Sequence, residues 1–286
     1  MFWTRTISGI VLVIIALATI LTGGPVLIAT LLICSMIGMQ EVYGALEIVE
    51  GNEAQVRSST PLEKESASKP QGKWNPLSLA GLAGAVIYYL VLFLAPGQYY
   101  LVSIVGTVLL ILVVYVATFP RFVAEQAVSA VFGFLYVAVM LGFIYLIRCE
   151  ENGKILVWLV FLSSWGADTC AYLAGRAFGR HKMAPVLSPK KSVEGAVGGI
   201  LGAGLLGFLY ALYFKMPAAG CFVTCAAGAV ISIFGDLAAS AIKRDKGIKD
   251  YGKLIPGHGG ILDRFDSVIF TAPVIYALTL LLMAAR

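Results

Sequence analysis

The chain has 286 residues, of which 59% are hydrophobic and only 13% charged. A water-soluble domain carries about 25% charged residues, so this composition excludes a soluble globular protein, which could not cover its own surface. The net charge of +5 is assigned to loops beside anionic lipid headgroups and to phosphates, with no nucleic-acid partner.

Runs of ~20 apolar residues, rising 1.5 Å each as helices, cross the ~30 Å of a bilayer core. They predict nine spans, roughly 6–22, 25–46, 78–95, 99–118, 128–147, 155–175, 195–213, 218–241 and 266–284. The fold class expected is all-α, a polytopic membrane protein with about nine transmembrane helices. Spanning strands would alternate polar and apolar residues and be half as long, so a barrel fits poorly. Arg5 ahead of an apolar stretch imitates a signal peptide. No small-residue cleavage site follows, and Gly23-Gly24-Pro25 reads as a turn, so a retained first span is expected. From Glu47 to Pro76 the chain turns polar, with Ser58-Ser59-Thr60-Pro61 and Lys69-Pro70-Gln71-Gly72-Lys73, a flexible linker. The organisation expected is an N-terminal region, 1–150, of membrane helices that includes the polar linker at about 47–76, followed by a C-terminal catalytic membrane region, 151–286. The first five spans name no chemistry.

With nine spans, the loops on one side leave only Arg148, Lys154, Lys215 and Arg286 of the 21 lysines and arginines on the other. By the positive-inside rule the N-terminus and the basic loops face the cytoplasm. The five cysteines are an odd set lying mostly in apolar runs. Cys221 and Cys225 sit one turn apart, without a second Cys/His pair to make a zinc site.

Charged groups gather toward the C-terminal end. In Trp165-Gly166-Ala167-Asp168-Thr169-Cys170-Ala171-Tyr172, Asp168 lies inside a span, with Tyr172 and Arg176 following at steps of four on one face. A salt bridge and a ligand role are both open for it. Ser188-Pro189-Lys190-Lys191-Ser192-Val193-Glu194 precedes the seventh span. It is either a basic anchor to headgroups or a phosphate grip made by Ser188, Lys190, Lys191 and Ser192 at a helix start. Asp236, Ser240, Lys243 and Arg244 share a helix face. Asp236 follows an apolar run, where a charge costs ~3 kcal/mol and needs a partner. Asp263 and Asp266, three apart where the ninth helix begins, either cap that helix or converge on a ligand. Around them lie Lys249, Asp250, His258, Gly259, Gly260 and Arg264. Carboxylates suit Mg²⁺, which takes one or two of them plus substrate phosphates; Lys and Arg neutralise phosphate, and glycines let backbone N–H groups approach it. These are the parts of a Mg²⁺-dependent phosphate-transfer site at a membrane surface.

Ser240-x-Ile242-Lys243-Arg244, four residues, then Lys249-Asp250-x-Gly252-x-x-Ile255-Pro256-x-His258-Gly259-Gly260-Ile261-x-Asp263-Arg264-Phe265-Asp266 resembles the signature of the CDP-diacylglycerol synthases, the phosphatidate cytidylyltransferases. The Ser188–Gly195 element and the Asp168 stretch are similar to that family as well. The resemblance covers about the C-terminal half.

It implies an integral membrane enzyme, often a homodimer, that joins CTP and phosphatidate into CDP-diacylglycerol and pyrophosphate at a cytoplasm-facing cavity of the bacterial inner membrane, open to membrane lipids. It places metal ligands at Asp236, Asp263 and Asp266, for Mg²⁺ with a second K⁺. Catalytic roles fall to Lys243, Arg244, Lys249, Asp250, His258, Arg264 and Asp266. Substrate contacts fall to Ser188, Lys190, Lys191, Ser192, Glu194, Ser240, Gly259 and Gly260. Two other readings share some of these parts. A CTP-dependent lipid or polyprenol kinase would release CDP rather than pyrophosphate. An ion-coupled transporter would use Asp168 and Asp236, but transporters place such charges in symmetric halves.

Overall fold

The structure, a computed structural model, describes residues 2–46, 48, 75–95, 99–255 and 259–284. The expected linker therefore lies, apart from Ile48, Asn75 and Pro76, outside the described residues, and so does His258. Among the described residues nine helices carry the architecture. They are α1 (Phe2–Thr22), α2 (Gly24–Ala45), α3 (Pro76–Leu94), α4 (Tyr100–Ala117), α5 (Ala124–Cys149), α6 (Gly153–Phe178), α7 (Val193–Tyr213), α8 (Ala218–Asp245) and α9 (Leu262–Ala284). All but α1 contain a stretch long and apolar enough to cross a bilayer, and α1 adds a shorter apolar segment. The protein is a polytopic helical membrane protein.

A short antiparallel hairpin, β1 (Lys182–Ala184) and β2 (Ser188–Ser192), stands between α6 and α7, with Lys182 opposite Ser192 and Ala184 opposite Ser188. The sequence pattern, read for helical spans, did not anticipate it. Helices α5 and α6 are also longer than the expected spans, and each contains a π-helical turn, at Phe134–Val139 and Leu162–Gly166.

Local chemistry sets the helix starts. Asn75 caps α3: its side chain accepts the Ser78 N–H at 2.8 Å, Ser78 Oγ accepts the Asn75 N–H at 3.2 Å, and Pro76 fills the first helical position. Ser192 caps α7 by accepting the Gly195 N–H at 3.1 Å, so the hairpin runs directly into a helix.

Packing divides by residue type. The α2, α3 and α5 group interlocks through tyrosines. Tyr43 donates to the Ala130 carbonyl at 2.9 Å, Tyr89 to Ala138 at 3.1 Å and Tyr88 to Val139 at 3.3 Å. The last two carbonyls belong to the π turn, where the regular ladder is interrupted, and in hydrocarbon a backbone group left bare costs several kcal/mol. The α6/α7 contact instead relies on small residues. A Cβ on Gly199 would stand 2.9 Å from the Ala171 Cβ, and one on Gly202 2.6 Å from that of Cys170, so α7 approaches α6 on glycine alone. Helix α4 turns Leu101, Val102, Val105, Leu109, Val113 and Val116 outward, each more than half exposed, as a lipid-facing surface requires.

The contacts define two ends. At one, Arg148 of α5 donates to Ile20 of α1 at 3.2 Å, Tyr276 of α9 meets Glu150 at 3.3 Å, and Tyr210 of α7 reaches the Ile155 carbonyl at 3.0 Å. At the other, the hairpin, the C-terminal turns of α2 and α8 and the first turn of α9 come together. That second end holds the charged groups singled out above.

Candidate active site

Asp263, in the first turn of α9, organises the loop that precedes it. Its Oδ1 accepts from Lys243 Nζ at 2.8 Å, and its Oδ2 from the amides of Tyr251 at 2.8 Å and Gly260 at 3.0 Å. Only 6% of Asp263 and 9% of Lys243 is exposed, so this ion pair is buried and both charges are compensated. The ammonium also lies 5.4 Å from the centre of the Tyr251 ring. The Tyr251 hydroxyl donates to the Ala239 carbonyl of α8 at 3.1 Å. Burial and the nearby carboxylates of Asp263 and Asp266 push that hydroxyl's pKa up, so it stays a donor.

One or two turns further into the bundle stands a second set. Asp236 of α8 forms an ion pair with Lys191 of β2, both half-buried, which ties the hairpin to the helix. Asp266 lies across the α8/α9 contact from Asp236: a Cβ on Gly235 would be 2.9 Å from the Asp266 carbonyl oxygen. Asp266 is buried, accepts its neighbour Ser267's amide at 2.8 Å, and interacts electrostatically with Asp236, Lys243 and Arg264. Asp168 of α6 faces the same charges, namely Lys191, Asp236 and Arg264, and among the described residues forms no ion pair with Arg176. Among the described residues, two buried donors in this region, Arg264 Nε and the Tyr136 hydroxyl from α5, have no hydrogen-bond partner.

The fold thus brings together Lys191, Asp236, Ser240, Lys243, Gly260, Asp263, Arg264 and Asp266, with Asp168 facing them. Asp250 and Gly259 border the group; a Cβ on Gly259, whose φ is +87°, would sit 3.3 Å from the Asp250 Cβ. Other candidates point elsewhere. Glu194 accepts the Arg180 amide at 3.0 Å and meets His181 Nδ1 at 2.6 Å, bracing the start of the hairpin. Ser192 is spent on capping α7. Ser188, partly buried, and Lys190, exposed, lie on the same strand as Lys191, while Arg244 and Lys249 are exposed, Arg244 donating to the Ile248 carbonyl at 3.3 Å.

The sequence reading missed Glu41. This residue of α2 accepts the amides of Ile261 at 3.0 Å and Leu262 at 2.8 Å, capping α9 from 220 and 221 positions away. A signal was present: a carboxylate near the end of an apolar span is costly and is retained only with a partner. The first five spans therefore do contribute to the charged end.

Among the described residues no three His, Cys, Asp or Glu side chains converge as a metal cage. Mg²⁺ asks for less, one or two carboxylates completed by water and substrate phosphate oxygens. Asp236 and Asp266 fit that requirement, since neither is enclosed by backbone amides as Asp263 is.

An apolar bundle with paired charges held at one end is the layout of an integral membrane enzyme that works on charged groups at the bilayer surface. The model of the cytidylyltransferase family matches residues 3–282, and the chain belongs to that family. It is 30% identical over 275 residues to the phosphatidate cytidylyltransferase of Staphylococcus saprophyticus, covering 95% of this chain and 96% of that one. It is 31% identical over 276 residues, with the same coverage, to the protein so named in Staphylococcus aureus. A protein of that name from Synechocystis is 45% identical over 135 residues, 46% of this chain and 45% of that one.

Proposed function

We propose that this protein is a phosphatidate cytidylyltransferase that makes CDP-diacylglycerol and pyrophosphate from CTP and phosphatidate in phospholipid biosynthesis. The observation that carries this reading is the pairing of Lys191 with Asp236 and Lys243 with Asp263, set beside Asp266 and Arg264, in a member of the cytidylyltransferase family. Full-length similarity to proteins named for that reaction supports it.

In the reaction a phosphate oxygen of phosphatidate attacks the α-phosphorus of CTP. A new P–O bond forms as the bond to the β-phosphate bridge breaks, and pyrophosphate leaves. The second proton of a phosphate monoester is lost near pH ~6, so the nucleophile is largely ionised at neutral pH and no dedicated base is required. The task left to the protein is to offset repulsion between two anions and hold them in line. Lys191 and Arg264 are the cations placed for this. The half-buried Lys191 can exchange Asp236 for a phosphate oxygen, and Arg264 keeps an unspent Nε donor. Lys243 holds Asp263 and the loop in place. Asp236 and Asp266 would hold Mg²⁺, which when bound would supply charge neutralisation on the triphosphate, and Asp263 behind them fixes the first turn of α9.

The same reading places the charged end in the cytoplasm, where CTP is found, with acyl chains remaining in the bilayer of a bacterial plasma membrane and two copies forming a homodimer. The lysine and arginine distribution supports that orientation. The experiment is a purified protein in detergent given CTP, Mg²⁺ and phosphatidate. Metal-dependent release of pyrophosphate together with a CDP-lipid is the expected result. Release of CDP instead assigns a lipid kinase and overturns the proposal.

A further inference from the structure

Helix α9 cannot cap itself. The three residues before it, Gly259, Gly260 and Ile261, offer no polar side chain, whereas helices ordinarily start on Ser, Thr, Asp or Asn. The cap is imported from α2, and we propose that Glu41 is a positioning residue of the active site, whose carboxylate fixes the two ends of the loop, Tyr251–Gly252 and Gly260–Asp263, against α8. The proposal rests on the function read above.

Four amides in this loop are held by two carboxylates. Asp263 takes those of Tyr251 and Gly260, and Glu41 takes those of Ile261 and Leu262, at 2.8 to 3.0 Å. Through Ile261 and Leu262, Glu41 sets where Asp263 stands, and Asp263 in turn holds Lys243. Two glycines corroborate the fit. A Cβ on Gly252 or on Gly260 would meet Glu41 Oε1, so both positions are glycine because the carboxylate lies against the backbone on either side of the loop. The amides at the start of α9 are thereby used internally. The Ile261 and Leu262 amides are therefore taken, and a substrate phosphate falls to the side-chain cations instead.

A plain packing role for this part of α2 is served by Met39 and Val42, both fully buried, and provides the control. The test measures turnover, KM for CTP and hydrogen exchange in Glu41→Gln, whose amide group would oppose one of the two N–H donors. A loop displaced by about an ångström near the reacting groups costs on the order of 100-fold in kcat, with KM changed by no more than about threefold because bound substrate is not touched. Exchange of the Ile261 and Leu262 amides rises. Gly252→Ala alone also lowers kcat, but adds little in a Glu41→Ala background, because the clash it creates is with Glu41. Met39→Ala lowers the thermal midpoint while leaving kcat within about twofold. Unchanged amide exchange in Glu41→Gln, independent multiplication of the Gly252 and Glu41 effects, or a Met39→Ala enzyme as impaired as Glu41→Gln each overturns the assignment. If the wild type makes no CDP-lipid, the functional reading fails, and the exchange measurement still decides whether Glu41 holds the loop.

Discussion

Lys191 and Lys243 each neutralise an aspartate, but burial separates their roles. The Lys243–Asp263 pair is nearly sealed from solvent, and removing one partner of a buried pair costs about 3–5 kcal/mol. Lys243→Met is therefore expected to lower the thermal midpoint sharply and abolish turnover together, as read by unfolding in detergent alongside the assay. The Lys191–Asp236 pair keeps about a quarter of each side chain exposed, and pairs of that kind contribute only ~0–1 kcal/mol. Lys191→Ala should unfold close to the wild-type temperature yet lose at least about tenfold in kcat, since its cation is free to exchange Asp236 for a phosphate oxygen. A Lys191→Ala enzyme with full turnover would remove the hairpin from the site. The pattern of three aspartates and several cations was legible in the sequence; which aspartate is enclosed was not. Asp263 and Asp266 are three apart and chemically alike, and only the direction of the Tyr251 and Gly260 amides distinguishes them.

At the level of elements, α7 depends on the cap residue before it and on its glycines. Losing the Ser192 cap costs about 1 kcal/mol. Ser192→Ala should lower the thermal midpoint modestly, and turnover measured well below that midpoint should stay near wild type. A selective loss of turnover would instead restore Ser192 as a substrate contact. Gly199→Leu demands that α6 and α7 part, and the expected outcome is loss of folded protein on size-exclusion chromatography. Span locations were readable because hydrocarbon requires long apolar helices. Their ends were less so: α8 continues to Asp245 and α9 begins at Leu262, since a helix that leaves the bilayer carries charged residues that hydropathy does not count. The hairpin escaped because its pairing of Lys182 with Ser192 rests on backbone geometry in a polar stretch with no alternation to mark it.

For the molecule as a whole, the even alternation of helices puts Lys154 and Lys253 at opposite ends, both exposed. With the native cysteines replaced, Lys154→Cys is expected to react with a membrane-impermeant thiol reagent added outside intact cells. Lys253→Cys should react only after permeabilisation. The reverse labelling would invert the orientation proposed for the charged end.

By itself the sequence determined the solvent, the long apolar helices and the charged residue types gathered near the C-terminal end, because apolar length and charge type are written residue by residue and a bilayer tolerates few alternatives. Tertiary structure decided how those charges are used. It enclosed Asp263 in backbone amides, paired Asp236 with Lys191 and set Asp266 across the α8/α9 contact, and it brought Glu41 from α2 onto the first turn of α9 across 220 positions of chain. Such pairings depend on which helices become neighbours, and that choice follows from close packing of glycines, tyrosines and π turns rather than from any local pattern.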